Sequence, residues 1–201
     1  DGVVEVPETI LAFVNNMNAR GRAISMSAPE TLTVTSADTA TLDINDVTVV
    51  EGDGEQTLVQ MTVTLSNEVS SPVSVAYSTA DGTAIVGTTA NYGDEDYAAS
   101  TGNLNFVGSA GEQQTISVYV NGDNVVELDE LLTVNLGAVT AIAGVSVGDG
   151  SGDLNITNDD TATISIEAAS SVLEGDLGDS NVGQLVVTLS NPVDTVVGYD
   201  F

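Results

Sequence analysis

Four segments of this chain recur in the same order at a spacing of about 122 residues, and such a self-match divides the chain before any strand is assigned. Asp1-Gly-Val-Val-Glu5-Val-Pro-Glu8 returns as Asp123-Asn-Val-Val-Glu127-Leu-Asp-Glu130, and Asp38-Thr-Ala-Thr41 returns as Asp160-Thr-Ala-Thr163, both displaced by 122. Glu51-Gly-Asp53 returns as Glu174-Gly-Asp176 and Thr64-Leu-Ser-Asn67 as Thr188-Leu-Ser-Asn191, displaced by 123 and 124, which places two single-residue insertions in the last copy. Residues 1–38 therefore read as the tail of one unit, 39–160 as a whole unit, and 161–201 as the head of a third. The two partial units together lack the region equivalent to 78–122, so they cannot complete one another, and neighbouring repeats of the same protein are expected at both ends. Asp1, with neither Met nor an apolar leader before it, reads as the start of an internal piece or a processed product.

Within the middle unit the hydrophobic residues alternate with period two between turn signals, which is the pattern of half-buried strands. Val59, Met61, Val63 and Leu65 take one face against Gln60, Thr62 and Thr64 on the other. Val73, Val75 and Tyr77 continue after the Ser-Ser-Pro72 break, Leu104 and Phe106 follow a long polar loop, and Ile116, Val118 and Val120 alternate with Ser117 and Tyr119. Leu132, Val134 and Leu136 come next, and Leu154 with Ile156 closes the unit. With an opening strand around Leu42 to Val50, this makes about seven short strands and predicts an all-β fold of immunoglobulin-like antiparallel β-sandwich repeats. Ala138 to Val147, small and apolar, reads as a loop or short strand. The Asp81-Gly82 pair is a turn signal, with no further role assigned to Gly82.

Thirty acidic residues face two basic ones, Arg20 and Arg22, for a formal net charge of −28, and the chain has no Cys, His or Lys. Thiol and imidazole catalysis, Schiff-base chemistry, nitrogen- or sulfur-ligated zinc and P-loop phosphate binding are all excluded by that inventory. Two arginines cannot follow a phosphate backbone, so nucleic acid is not an expected partner. Carboxylate-only catalysis survives the filter, but nothing near the acidic pairs suggests an aromatic-lined cleft, and no enzyme activity is expected. No apolar run approaches the roughly 18 residues of a spanning helix, so no membrane insertion is expected of this segment. At 42% hydrophobic the chain is too apolar for a disordered acidic tail, so its charge must be carried by a folded surface or neutralised by bound cations.

The acidic residues cluster. Asp94, Glu95 and Asp96 fall in the long loop after the third strand; Asp123, Glu127, Asp129 and Glu130 fall between the fifth and sixth. Asp159 and Asp160 follow the last strand, and Glu51 and Asp53 follow the first. In an immunoglobulin-type sandwich the first two of these loops lie at the same end as the junction with the next unit. Carboxylates converging there require neutralisation, and Ca²⁺ takes six to eight oxygens in irregular geometry. The repetition of Asp1, Glu5, Glu8 and Asp38 at the spacing of Asp123, Glu127, Glu130 and Asp160 strengthens the reading beyond that of a solvated acidic loop.

Asp81-Gly-Thr-Ala84, Asp96-Tyr97, Gly102-Asn-Leu-Asn-Phe106, Asp123 through Glu130 and Asn158-Asp-Asp160, in that order, resemble the successive signature segments of the Calx-beta domain. That family was described in the regulatory region of sodium–calcium exchangers and occurs as tandem copies in large surface proteins. The resemblance covers the middle unit and implies calcium ligation by Glu51, Asp96, Asp123, Glu127, Glu130, Asp159 and Asp160. This chain departs from the family's best calcium binders at Gly122, where they carry an acidic run, and at Asn158, which replaces a carboxylate. In the first partial unit Pro7 stands for Asp129 and Ala37 for Asp159, which implies a weaker site there. The expected function is that of a calcium-binding structural or adhesive repeat segment of a large secreted or cell-surface protein. Its partners would be neighbouring repeats and a cell-surface or matrix ligand. The alternatives are a subunit of an extracellular filament, a homo-polymer built by strand exchange between repeats, and a calcium-sensing regulatory module.

Overall fold

The computed structural model describes residues 2–13, 20–22, 24, 28–87, 95–167, 175–178 and 184–198. Asp1, Asp94 and Glu174, which the sequence places in acidic clusters, lie outside the described residues. Every described element is a strand, and none of the described residues forms a helix long and apolar enough to cross a membrane.

Two sheets make the body of the middle unit. The first holds β3 (Ala40–Ile44), β5 (Gln56–Leu65), β7 (Val86–Gly87), β8 (Tyr97–Ala98), β10 (Gln113–Asn121) and β12 (Val145–Val147), in the order β12-β3-β5-β10-β8-β7. The second holds β4 (Val47–Val50), β6 (Val73–Asp81), β9 (Thr101–Phe106), β11 (Glu130–Thr140) and β13 (Ser151–Thr157), in the order β4-β13-β11-β6-β9. Their alternating inward residues form one core, with Met61, Val63, Leu65, Ile116 and Val118 from the first sheet and Val75, Phe106, Leu132, Val134 and Leu154 from the second. Each such side chain contributes about 1.5–3 kcal/mol by leaving water.

Two features depart from the sequence expectation, and a third segment takes both of the forms the sequence allowed. The opening strand is not continuous from Leu42 to Val50: it breaks at Asn45 and Asp46 and changes sheets. Asn45 is tied to the first sheet, its Oδ1 accepting the Thr62 N–H at 2.5 Å, while Asp46 Oδ1 accepts the Asp153 N–H of the second at 2.8 Å. Two adjacent polar residues thus anchor to opposite layers, and the strand must cross. The pairing is also not antiparallel throughout, since β12–β3, β13–β4 and β7–β8 are parallel. The segment 138–147 is split between the end of β11, which follows a register shift between Leu136 and Val139, and the short β12.

Beyond the sandwich lie two small sheets, β1 (Glu8–Ala12) with β2 (Glu30–Val34), and β14 (Ile164–Glu167) with β15 (Val186–Leu189). Their registers reproduce those of the middle unit. Glu8 opposes Val34 as Glu130 opposes Ile156, and Ile164 opposes Leu189 as Leu42 opposes Leu65. The side-chain staple Asn67 Nδ2 to Thr39 O (2.8 Å) is likewise matched by Asn191 Nδ2 to Thr161 O (2.9 Å).

Candidate metal centre

Parallel pairing of β4 with β13 delivers both strands' C-terminal ends to one pole, so Glu51 after β4 meets Asp159 and Asp160 after β13. The Glu51 N–H donates to Thr157 O at 3.2 Å and the Gly52 N–H to Asp159 Oδ1 at 3.2 Å, which locks the two exits together. Antiparallel pairing brings the start of β11 to the same pole, with Glu130 opposite Ile156. Asp96, just before β8, arrives through two backbone hydrogen bonds with Ile85 and Asn121, its N–H to Ile85 O (2.9 Å) and its carbonyl from the Asn121 N–H (2.8 Å). Asp123 follows the end of β10 and turns the chain by accepting the Val125 N–H at 2.6 Å.

The seven sequence-predicted residues therefore share one pole, six of them in two groups. Carboxylate oxygens of Glu51, Asp159 and Asp160 lie within 4.8 Å of one another, as do those of Asp96, Glu127 and Glu130. Asp123 belongs to neither triad, but its charge bears on Glu51 and Asp160. Glu51 also feels Glu127, and Glu130 feels Glu51, so the two groups form one continuous acidic array.

Burial has consequences for these charges. Glu51 is only 4% exposed, and desolvation, reinforced by Glu127, Asp123, Asp160 and Asp159, pushes its carboxyl up to about 8. Glu130 is raised first by burial and then by its hydrogen bond with Asp96 and the charges of Asp96, Glu127 and Glu51; Asp160 is raised by burial and by Asp53 and its other acidic neighbours. One oxygen on each of three carboxylates, Glu51 Oε1, Glu130 Oε2 and Asp160 Oδ2, is buried with no hydrogen-bond partner. Buried polar atoms are ordinarily satisfied, and an orphaned one costs about 1–3 kcal/mol. Three orphaned oxygens in one array fit a bound cation, and a donor set made only of hard oxygens fits Ca²⁺ better than zinc.

Several neighbours shape the array without belonging to the predicted set. Asn158 departs from a carboxylate because it serves as a clamp: its Oδ1 accepts the N–H groups of Asp160 (3.3 Å) and Glu127 (3.4 Å), and its Nδ2 donates to Asp160 O (3.2 Å). Gly122 is buried, and any side chain there would meet the Gly52 carbonyl and come within 2.6 Å of Glu51 O, so an acidic residue has no room. Gly82 has a role beyond its turn. It abuts the Leu131 carbonyl, which accepts the Ala84 N–H at 3.0 Å, while Thr83 Oγ1 accepts the Leu131 N–H at 2.9 Å, and this grip positions the strand that carries Glu130. Asp53, which acts on Asp160, is the acidic neighbour the ligand set omits; its recurrence as Asp176 was the available signal. In the first partial unit Glu5, Glu8 and Asp38 line a single hollow together with Ala37.

A family model described as the Calx-beta domain matches residues 33–160. No curated protein sequence matches the chain. Among solved structures, an apo-form Calx CBD1 domain is 26% identical with a TM-score of 0.51, and the match covers 61% of this chain and 100% of that one. A calcium binding domain CBD12 of CALX1.1 is 21% identical with a TM-score of 0.49, covering 73% of this chain and 69% of that one.

Proposed function

This chain belongs to the Calx-beta family, whose domains are calcium-binding modules, and from that premise we propose that residues 39–160 bind Ca²⁺ through Glu51, Asp96, Asp123, Glu127, Glu130, Asp159 and Asp160 in a structural repeat of a secreted or cell-surface protein. The observation that carries the reading is the trio of buried, unpartnered oxygens on Glu51, Glu130 and Asp160. A cation supplies those oxygens with the positive partner that no side chain gives them, and it removes the mutual repulsion of the array. Bound only by the folded state, it stabilises that state by mass action, by about 2.7 kcal/mol at a hundredfold excess over Kd. The loop 123–130 carries ligands and also pairs with the following segment through Val126 and Val193, so the ion stiffens an array of units as well as the unit itself.

Calcium titration by calorimetry on the whole chain tests the reading, with Asp123→Asn and Glu51→Gln as comparisons. Heat of binding and a rise in melting midpoint are expected, both diminished in the variants. A midpoint indifferent to calcium and to chelator would discard it.

A second reading, a filament subunit, draws on the exposed apolar residues of the two small sheets, including Ile10, Leu32, Ile164 and Ile166. Electron microscopy distinguishes a periodic polymer from single-chain rods.

A further inference from the structure

Val4 lies outside the matched family domain, yet it is fully buried and belongs to the same core as Val69, Val73 and Leu65. Its backbone pairs in parallel with Val69, the Val4 N–H donating to Glu68 O and the Ser70 N–H donating to Val4 O, both at 2.9 Å. A side chain on Gly144 would come within 2.9 Å of Val4 Cγ1, so the seat calls for a glycine there. The arrangement occurs a second time. Val126 pairs in parallel with Val193, its N–H donating to Pro192 O at 3.0 Å and its carbonyl accepting the Asp194 N–H at 3.3 Å.

Val4 and Val126 occupy the same place in the recurring segment, between the first acidic residue and the glutamate: Asp1-Gly-Val-Val-Glu5 and Asp123-Asn-Val-Val-Glu127. We propose that this segment serves two units at once. Its carboxylates turn back to the metal array of their own unit, and its second valine is a peg that enters the base of the following unit and completes that unit's core. The partner of this surface is the next unit of the same chain. Val126 is half-buried where Val4 is fully buried. The Gly108 carbonyl is part of the first seat, accepting the Val69 N–H at 2.8 Å. A parallel bridge with two backbone hydrogen bonds sets the direction of the incoming chain, and the buried side chain sets its depth, so each unit is docked in one register on the last.

The inference rests on the array reading but not on calcium, and the experiment separates the two. The 201-residue chain carrying Val4→Asp, Val4→Ala or Val6→Thr is melted with calcium and, separately, with chelator. Val6 is 50% exposed, and the uncharged Val6→Thr serves as the control because it adds no carboxylate beside Glu5, Glu8 and Asp38. Val4→Asp is expected to lower the melting midpoint by several degrees in both media, Val4→Ala by less, and Val6→Thr not measurably. In the unsubstituted chain the Ser70 amide is expected to exchange with solvent slowly. Equal midpoints for Val4→Ala and Val6→Thr, or exchange at Ser70 as fast as at an exposed loop amide, would overturn the peg. A missing calcium response alongside an intact Val4 effect would overturn only the metal reading.

Discussion

At Glu51 the proposed calcium binding is coupled to pH through a single carboxyl. Its folded carboxyl is raised to about 8 from an ordinary value of 4.5 by burial and by the acids around it. The folded state therefore binds its proton more tightly than the unfolded one. This contribution is fully present below pH 4.5 and is lost as pH rises through about 8. In chelator the melting midpoint is expected to fall between these limits, with a loss of roughly 3 kcal/mol after allowance for solvent near the array. Glu51→Gln removes much of that fall and also blunts the calcium response; melting curves at a series of pH values, with and without calcium, check both. Tyr97 is a second case: buried, it donates its hydroxyl to Asp81 Oδ1 at 2.5 Å, and burial with that hydrogen bond raises its phenol well above the usual range. Tyr97→Phe is expected to cost about 1–2 kcal/mol in urea unfolding, since it removes one charge-assisted hydrogen bond and leaves the ring packed. Five of the array residues, Glu51, Asp123, Glu127, Glu130 and Asp160, were legible because their identity recurs along the chain, whereas Asp96 and Asp159 have no such copy and were reached through the acidic clusters and the Calx-beta resemblance. Asp53 carried the same signal, its recurrence as Asp176, but its approach to Asp160 and the role of Gly82 were not legible, because each depends on distant segments meeting.

At the scale of the element, alternation along β5, β10, β11 and β13 was enough to name the inward faces, and the inward residues are indeed the core. Alternation says which face a residue takes but not which strand lies beside it. The crossing at Asn45 and Asp46 and the parallel partners of β3 and β4 were therefore invisible until the chain was folded. The loop between β10 and β11 makes the same point about the site. Adding an acid before Asp123 looks from the sequence like a way to strengthen calcium binding. In the fold Gly122 sits against the Gly52 and Glu51 carbonyls, so Gly122→Asp is expected to destabilise the protein by about 3 kcal/mol and to weaken calcium binding. Denaturant midpoints and a calcium titration of that variant check the prediction.

In the molecule as a whole, the chain enters the middle unit beside Val4 and Ala40 at the base and leaves after Asp160 at the acidic pole. Between those points its first and last strands run side by side in the same direction, β3 with β12 over three residue pairs and β4 with β13 over four. If the two ends are drawn apart, as they are in any tether under tension, these strands are pulled past each other lengthwise. Their hydrogen bonds lie across the pull and must yield together, whereas a hairpin opened from its end gives way one bond at a time. Glu51 and Asp159 sit where β4 and β13 finish, so an ion held there rivets the two sliding strands at their tips. Single-molecule stretching should show a high rupture force that drops on adding chelator, with Asp159→Asn giving an intermediate value. The parallel pairing that gathers the carboxylates is thus also what lets the unit bear a load.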